Sequence, residues 1–129
     1  MRPQVWPAWE GFQAASEARR KDLHSPEKAA ALTRARSELD RAVVDVLARV
    51  PYRTRRVAEL RPGRDGGDVH LAVTSDIAIQ GWSRGKGQTL CGAPSGRYAG
   101  DRALTCTACL RLLDRHVDLE VDPPELALF

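Results

Sequence analysis

Three cysteines and one histidine form the arrangement in this sequence with the clearest chemical meaning. They are His70, Cys91, Cys106 and Cys109, in the pattern H-x20-C-x14-C-x2-C. The chain has 3 cysteines in total, and an odd number cannot pair completely into internal disulfides. Zinc prefers four tetrahedral nitrogen and sulfur ligands, and Cys3His sets are common in its structural sites. The pattern therefore predicts a zinc site that uses every cysteine and, because no coordination position stays open, is structural rather than catalytic.

The sequence around the cysteines fits this ligand set. Thr89-Leu90-Cys91-Gly92 is typical of a strand that runs into a tight turn, where Gly92 can adopt backbone angles that bring amides near a thiolate. Cys106 and Cys109 lie where the last helix is predicted to begin, so the positive end of its dipole should lower the pKa of both thiols. Three nearby arginines could balance the negative charge of three zinc-bound thiolates: Arg84, Arg102 and Arg111.

The fourth ligand is the least constrained member of the set, because the chain has three histidines. His70 begins a β-like run that should lie beside the segment of Cys91. His116 follows Cys109 by seven residues, about 10.5 Å along a continuous helix, which makes a shared tetrahedral centre difficult. His24 lies in the helical half of the chain. We therefore expect His70 to be the ligand, with His116 as the alternative.

Other uses of the same residues are disfavoured by their surroundings. A redox CxxC motif needs a βαβ context, whereas the preceding half of this chain is helical and basic. A zinc deaminase needs His-x-Glu and a proline before its CxxC pair, but here the residues are His70-Leu71-Ala72 and Thr105. Cysteines that bind no metal are the remaining alternative. No serine lies in a nucleophile elbow or triad context, so we expect a protein without catalytic residues.

The segment from His70 to Leu110 resembles a known group of proteins. The motifs that carry the resemblance are His70, Gly81-Trp82-Ser83, Thr89-Leu90-Cys91-Gly92 and Leu104-Thr105-Cys106-Thr107-Ala108-Cys109-Leu110. They are similar to the small zinc-finger proteins of actinobacteria, their phages and mobile elements, which show a histidine, a TLCG-like knuckle and a TCxxCL turn that opens a helix. The resemblance implies a treble-clef-like or ribbon-like zinc module with the four ligands named above. It implies no particular activity and does not extend to residues 1–60.

Two helices are predicted in the first 50 residues. Ser25-Pro26-Glu27 is a strong helix start, because the serine can cap free amides and proline suits the first helical position. Apolar residues then recur at spacings of three and four: Leu32, Ala35, Leu39, Val43, Val46 and Val50. This stripe predicts a helix of about 24 residues that ends before Pro51, preceded by a first helix from about Pro7 to Asp22. The short link favours an antiparallel hairpin, and the near-heptad spacing leaves a dimeric coiled coil as the alternative.

Two basic segments follow the helices. The first, residues 51–65, is interpreted as a linker that is either a solvated connector or an arm contacting phosphate through Arg53, Arg55, Arg56, Arg61 and Arg64. The second, residues 81–88, lacks the spacing and the Ser or Thr of a true phosphate loop. Arg84 and Lys86 are candidate phosphate contacts in it, and Trp82 either stacks on a base or packs over the zinc module.

The net charge of +3 conceals an uneven distribution. Residues 1–115 hold 20 basic and 13 acidic side chains, a net charge of +7. The last stretch is acidic, with Asp118, Glu120, Asp122 and Glu125. A basic body favours an anionic partner such as DNA or RNA. The acidic tail is either a solvated end or a tether that competes with that partner.

The predicted architecture is α+β in four parts. A helical hairpin (1–50) and a basic linker (51–65) precede a zinc-binding module (66–117), and an acidic tail (118–129) ends the chain. Short strands are expected in the module at Val69–Val73, Ile77–Ile79 and 88–90, followed by a helix. The chain contains no run of eighteen apolar residues and no secretory signal, so we expect a cytoplasmic protein without a membrane partner.

The expected function is that of a non-enzymatic, zinc-containing protein that binds nucleic acid or is regulatory. The alternative is a protein-interaction or assembly module of phage or mobile-element origin. In that case the N-terminal helices would bind a protein partner or a second copy of the chain, and zinc would only stabilise the fold.

Overall fold

The computed structural model describes residues 4–58, 68–94, 96–100 and 102–122. These residues form helices α1 (Val5–Lys21) and α2 (Pro26–Leu47), strands β1 (Thr54–Ala58), β2 (Val69–Val73), β3 (Ile77–Ile79), β4 (Trp82–Arg84) and β5 (Arg97–Tyr98), and helix α3 (Thr107–His116). The fold is α+β, as the sequence predicts. None of the described helices is both long enough and apolar enough to cross a membrane.

Helices α1 and α2 pack against each other as the predicted hairpin. Helix α2 begins at the predicted signal, where the Oγ of Ser25 accepts a hydrogen bond from the backbone N–H of Lys28 at 3.2 Å. It ends at Leu47, three residues earlier than the apolar stripe suggests. The stripe residues Leu39, Val43 and Val46 are buried inside the chain. A coiled-coil dimer would need this same face of α2. The structure shows the face buried within the chain, as the antiparallel hairpin requires.

Strand β1 is the central strand of a three-stranded sheet with the order β2-β1-β5. It pairs antiparallel with β2, from Thr54 opposite Val73 to Ala58 opposite Val69. The strand lies inside the segment 51–65 that the sequence analysis interprets as a linker, so that interpretation is wrong for residues 54–58. Its arginines give the segment the composition of a solvated connector, but Val57 and Ala58 are buried and hold it in the sheet. Residues 59–65 lie outside the described residues.

Strands β2 and β3 confirm two of the three predicted runs. The third run, residues 88–90, forms no separate strand but lies along the second edge of β2. There the Leu90 N–H donates to the Leu71 carbonyl at 2.8 Å, and the Val73 N–H donates to the Gln88 carbonyl at 3.0 Å. This pairing carries the chain directly into Cys91.

The larger of two hydrophobic clusters among the described residues joins the helical hairpin to the sheets and to α3. Its buried members come from all of these elements and include Val5, Val43, Val46, Leu71, Val73, Leu90, Leu110 and Leu113. The hairpin and the segment that holds the predicted zinc ligands therefore share one interior, and the ligands are positioned by both.

The first residues of the predicted acidic tail lie against the body of the protein. The Asp118 N–H donates to the Arg49 carbonyl at 2.9 Å, and the Asp118 carboxylate lies 3.6 Å from the Arg49 guanidinium. An oxygen of Asp122 accepts a hydrogen bond from the Gln80 N–H at 2.9 Å. Residues 123–129, including Glu125, lie outside the described residues.

Candidate metal centre

Strand β2 places His70 in the interior of the protein. All five residues of the strand are buried, and His70 is 3% exposed. Its neighbour Val69 holds the chain that leads into α3, because the Val69 N–H donates to the Oγ1 of Thr105 at 2.8 Å and the Val69 carbonyl accepts from the Cys106 N–H at 3.1 Å. The residues that begin α3 are thereby fixed beside His70.

Cys91 lies in a tight turn that we call the knuckle (residues 89–93). The Gly92 N–H donates to the Thr89 carbonyl at 3.1 Å, and Gly92 has a φ of 84°, in the left-handed region that glycine adopts without strain. The Oγ1 of Thr89 donates to the Ala93 carbonyl at 2.6 Å and closes the turn. The backbone of the knuckle therefore turns Cys91 toward β2, as its sequence predicts.

Cys106 and Cys109 occupy the first turn of α3. Cys106 immediately precedes the helix, and the Leu110 N–H donates to its carbonyl at 3.1 Å. No side chain caps this end of the helix. The largest influence on the pKa of each of these thiols is the other thiol, and the backbone N–H groups of Cys109 and Leu71 act to lower the pKa of Cys106 and Cys109, respectively.

The structure brings all four predicted ligands together. One ligand atom from each of His70, Cys91, Cys106 and Cys109 lies within 4.8 Å of the others. The Nδ1 atom of His70 is 3.3 Å from the sulfur of Cys91 and 3.9 Å from that of Cys109. Zinc–sulfur bonds of about 2.3 Å and a zinc–nitrogen bond of about 2.0 Å at tetrahedral angles separate ligand atoms by about 3.5–3.8 Å. The cluster therefore has the dimensions of a metal site, and a metal ion could bind there.

The thiols of the cluster affect one another's protonation. A hydrogen bond from Cys109 lowers the pKa of Cys106 to about 5. The same bond and burial raise the pKa of Cys109, and the negative charges of Cys106 and Cys91 add to this. Neighbouring buried thiols cannot all ionise in the absence of a positive charge, because like charges at short range repel each other strongly. A bound divalent ion would allow all three to be thiolates.

His116, the alternative fourth ligand, belongs to a separate group of aromatic side chains. Its Nδ1 atom is 2.8 Å from the hydroxyl of Tyr52, and its ring lies 4.4 Å from that of Trp82. Burial lowers the pKa of His116 to about 4, with smaller contributions from the positive charges of Arg115 and Arg84. His116 is therefore a neutral core residue, and the preference for His70 agrees with the structure.

Arg84 contacts the knuckle rather than solvent alone. Its Nε donates to the carbonyls of Thr89 and Leu90 at 3.0 and 3.1 Å. Its guanidinium also lies 4.9 Å from the centre of the Trp82 ring. These contacts place a positive charge next to the turn that carries Cys91, as expected for charge balance. Arg84 is also a candidate phosphate contact, and in the structure its guanidinium is instead bonded within the fold. Trp82 packs against Tyr52 and His116. Of its two expected roles, the structure therefore shows packing inside the protein.

The other two arginines expected near the metal have different surroundings. The guanidinium of Arg111 lies 4.2 Å from the centre of the Trp6 ring. Arg102 is exposed, and its carbonyl accepts a hydrogen bond from the Nη1 of Arg56 at 2.7 Å. These contacts give no evidence that either side chain balances the charge of the thiolates.

The remaining candidate nucleic-acid contacts differ in their exposure. Arg53 and Arg55 are exposed at β1, and Arg56 beside them is partly buried. Lys86 is exposed in the loop after β4. Arg61 and Arg64 lie outside the described residues. The structure thus describes five of the seven predicted contacts, and of these Arg84 contacts the knuckle.

Sequence reasoning missed two exposed residues beside this group, Arg97 and Tyr98 of β5. Strand β5 pairs with β1 and places Tyr98 opposite Val57 and Arg97 opposite Ala58. The only local signal was an arginine and a tyrosine between Gly96 and Gly100, and a strand of two residues has no periodicity to recognise.

Comparison with protein-family models, with curated proteins and with solved structures finds no match to this chain. The resemblance to small zinc-finger proteins therefore rests on the motifs in residues 70–110.

Proposed function

We propose that this chain is a non-enzymatic zinc protein that binds nucleic acid and whose Cys3His centre is structural. The observation that supports the zinc centre most strongly is the convergence of the four ligand atoms, from three separate segments, within 4.8 Å. Thiolate and imidazole ligands suit zinc, whereas magnesium and calcium select oxygen ligands.

The positions of the ligands explain why the centre should be structural. His70 lies on β2, Cys91 in the knuckle, and Cys106 and Cys109 at the start of α3. A zinc ion bound to all four would cross-link a strand, a turn and a helix. Four protein ligands leave no coordination position for water or a substrate, so no catalytic step is expected at the metal.

The nucleic-acid part of the proposal rests on charge and exposure. Residues 1–115 carry a net charge of +7. Four exposed arginines lie on or beside the neighbouring strands β1 and β5: Arg53, Arg55, Arg97 and Arg102. Exposed guanidinium groups offer charge-assisted hydrogen bonds to phosphates, and the release of counterions from the phosphates drives binding.

An assembly module would need a continuous exposed apolar surface. Among the described residues, the large exposed apolar side chains are Leu23, Val44, Tyr98 and Val121. Leu23 precedes α2 and Val44 lies near its other end, so these two do not form a patch. Trp9 is buried in the core, and Trp6 is covered in part by Arg111. Isolated exposed apolar residues are normal in folded proteins, and they give this alternative no specific support.

Two measurements test the two parts of the proposal separately. Removal of the bound metal with a chelator should lower the thermal unfolding midpoint substantially, and re-addition of zinc should restore it. An unchanged midpoint after complete metal removal would contradict a structural role.

Fluorescence anisotropy with labelled DNA and RNA should show binding that weakens steeply between about 50 and 200 mM salt. Absent or salt-independent binding would contradict the nucleic-acid role.

A further inference from the structure

A cleft opens at the edge of β1, beyond the point where β5 ends. Its volume is about 350 Å³, and its lining includes Thr54, Arg55 and Arg56 from β1 and Tyr98 and Gly100 from the β5 side. Leu47 at the end of α2 and the buried Leu71 complete its wall. The cleft lies apart from the four metal ligands, none of which lines it. We call it the β1-edge cleft.

The register of the sheet explains how the cleft forms. Val57 pairs with Tyr98, and the Ala99 N–H donates to the Arg56 carbonyl at 2.9 Å, so Gly100 comes next along the edge of β1. Gly100 has a φ of 58°, in the left-handed region, which does not continue the extended strand. A Cβ added to Gly100 would meet no atom within 4 Å apart from those of its two chain neighbours, so the space beside Gly100 is open.

Tyr98 is the most exposed large apolar side chain among the described residues, at 71%. The register of β5 with β1 determines which arginine of β1 shares a face of the sheet with Tyr98. Residues opposite each other in an antiparallel pair share a face, and so do residues two apart in a strand. Arg55 therefore lies on the same face as Tyr98, as its diagonal neighbour, within reach of a long side chain.

The chemistry of this lining suits one kind of ligand. Arg55 supplies charge-assisted donors for a phosphate, and the exposed ring of Tyr98 supplies a surface on which a base can stack. Among the described residues, no acidic side chain lines the cleft. A volume of about 350 Å³ falls at the small end of the range for ligand sites, which is about 300–1,000 Å³.

We propose that the β1-edge cleft holds one unpaired nucleotide of a single-stranded nucleic acid, with its base on Tyr98 and its phosphate on Arg55. The proposal rests on the nucleic-acid role proposed above and adds a preference for single strands. In a duplex the bases are stacked and paired, so their faces cannot reach Tyr98, whereas in a single strand a base can turn out.

The experiment compares the zinc-loaded full chain with three variants. Fluorescence anisotropy would measure their affinities for a labelled single strand, as DNA and as RNA, and for a duplex of the same sequence. Tyr98→Ala removes the ring, Tyr98→Phe retains it, and Lys86→Ala removes an exposed cation outside the cleft. Because Tyr98 is largely exposed, Tyr98→Ala should leave the thermal unfolding midpoint unchanged, which verifies that the variant is folded.

We expect Tyr98→Ala to weaken single-strand binding by about tenfold and duplex binding by less than about twofold. Tyr98→Phe should bind like the unmodified chain, and Lys86→Ala should weaken both ligands to a similar small extent. Equal losses for single strand and duplex in Tyr98→Ala, or no loss at all, would overturn the cleft assignment alone. Failure of the unmodified chain to bind any nucleic acid would overturn the proposed function together with this inference. A free mononucleotide that binds as tightly as the oligonucleotide would contradict the proposal and identify a small-molecule site.

Discussion

The carboxylate of Asp114 in α3 caps the start of α1, where its Oδ1 atom accepts a hydrogen bond from the Val5 N–H at 2.7 Å. The same carboxylate accepts hydrogen bonds from the N–H groups of Gln4 and Trp6, at 2.9 and 2.7 Å. Gln4, the residue before α1, provides no side-chain cap of its own. A residue 109 positions away in sequence thus satisfies the free amides of α1 and meets the positive end of its dipole. The contact also joins the helical hairpin to α3, the helix whose first turn carries Cys109.

Substitution of Asp114 should therefore destabilise the whole fold. Asp114→Ala leaves three backbone N–H groups without their acceptor, and we expect the free energy of unfolding to fall by about 1–3 kcal/mol. Urea denaturation of the zinc-loaded protein would measure this change. Asp40→Ala is the control, since Asp40 makes an exposed ion pair with Arg36 one turn away in α2 and should change the free energy by less than about 0.5 kcal/mol. Equal effects of the two substitutions would refute the role of Asp114 as a cap.

The two buried histidines should respond differently to substitution. His70→Ala removes a zinc ligand, and we expect the variant to bind zinc more than about 100-fold more weakly than the unmodified chain. Loss of a residue that only hydrogen-bonds to a metal ligand already costs up to about 100-fold in metal affinity. His116→Gln should retain one zinc per chain, because His116 bonds to Tyr52 and not to the cysteines. Competition with a chromophoric chelator measures both affinities. A larger loss in His116→Gln than in His70→Ala would reverse the ligand assignment.

Arg84 should act on zinc affinity through the knuckle. Its hydrogen bonds to the carbonyls of Thr89 and Leu90 fix the turn that carries Cys91. We expect Arg84→Ala to weaken zinc binding by about tenfold, the lower end of the effects of residues that orient metal ligands. Lys86→Ala, a nearby exposed cation, is the matched control and should leave zinc affinity unchanged. If both variants lost the same affinity, general charge rather than positioning would be responsible.

His116 should make stability depend on pH. Its pKa is lowered to about 4 in the folded chain from an ordinary value of 6.5, so below pH 6.5 the unfolded chain binds a proton that the folded chain excludes. This group therefore contributes no penalty above pH 6.5 and increasingly disfavours folding as the pH falls toward 4. At about pH 4 the loss in the free energy of unfolding from this group is on the order of 3 kcal/mol.

Comparison with His116→Gln isolates this effect from protonation of the metal ligands. Denaturation of both zinc-loaded proteins at pH 7.5, 6.5 and 5.5 would give the difference in their free energies of unfolding. The unmodified chain should lose stability relative to the variant as the pH falls. A difference that stays constant with pH would show that His116 titrates normally in the folded chain.

The parts of the fold that could be predicted from the sequence are those that are encoded by residues close together in the chain. The cap at Ser25 and the stripe of Leu39, Val43 and Val46 define α2, and the types and spacing of the cysteines define the ligand set. Strand β1 was missed because Arg55 and Arg56 make it look solvated, while the pairing that buries Val57 comes from strands distant in sequence. The roles of Asp114 and Arg84 depend on contacts with backbone groups, which leave no pattern in the side-chain sequence.

X-ray absorption spectroscopy at the zinc edge tests the central claim most directly, because it reports the ligand atoms of the bound ion. For the full chain purified with its metal, the account predicts one zinc ion per chain with three sulfur ligands at about 2.3 Å and one nitrogen at about 2.0–2.1 Å. His70→Ala should lose the nitrogen ligand or the metal itself. A chain that binds no stoichiometric metal, or a spectrum dominated by oxygen ligands, would contradict the Cys3His centre.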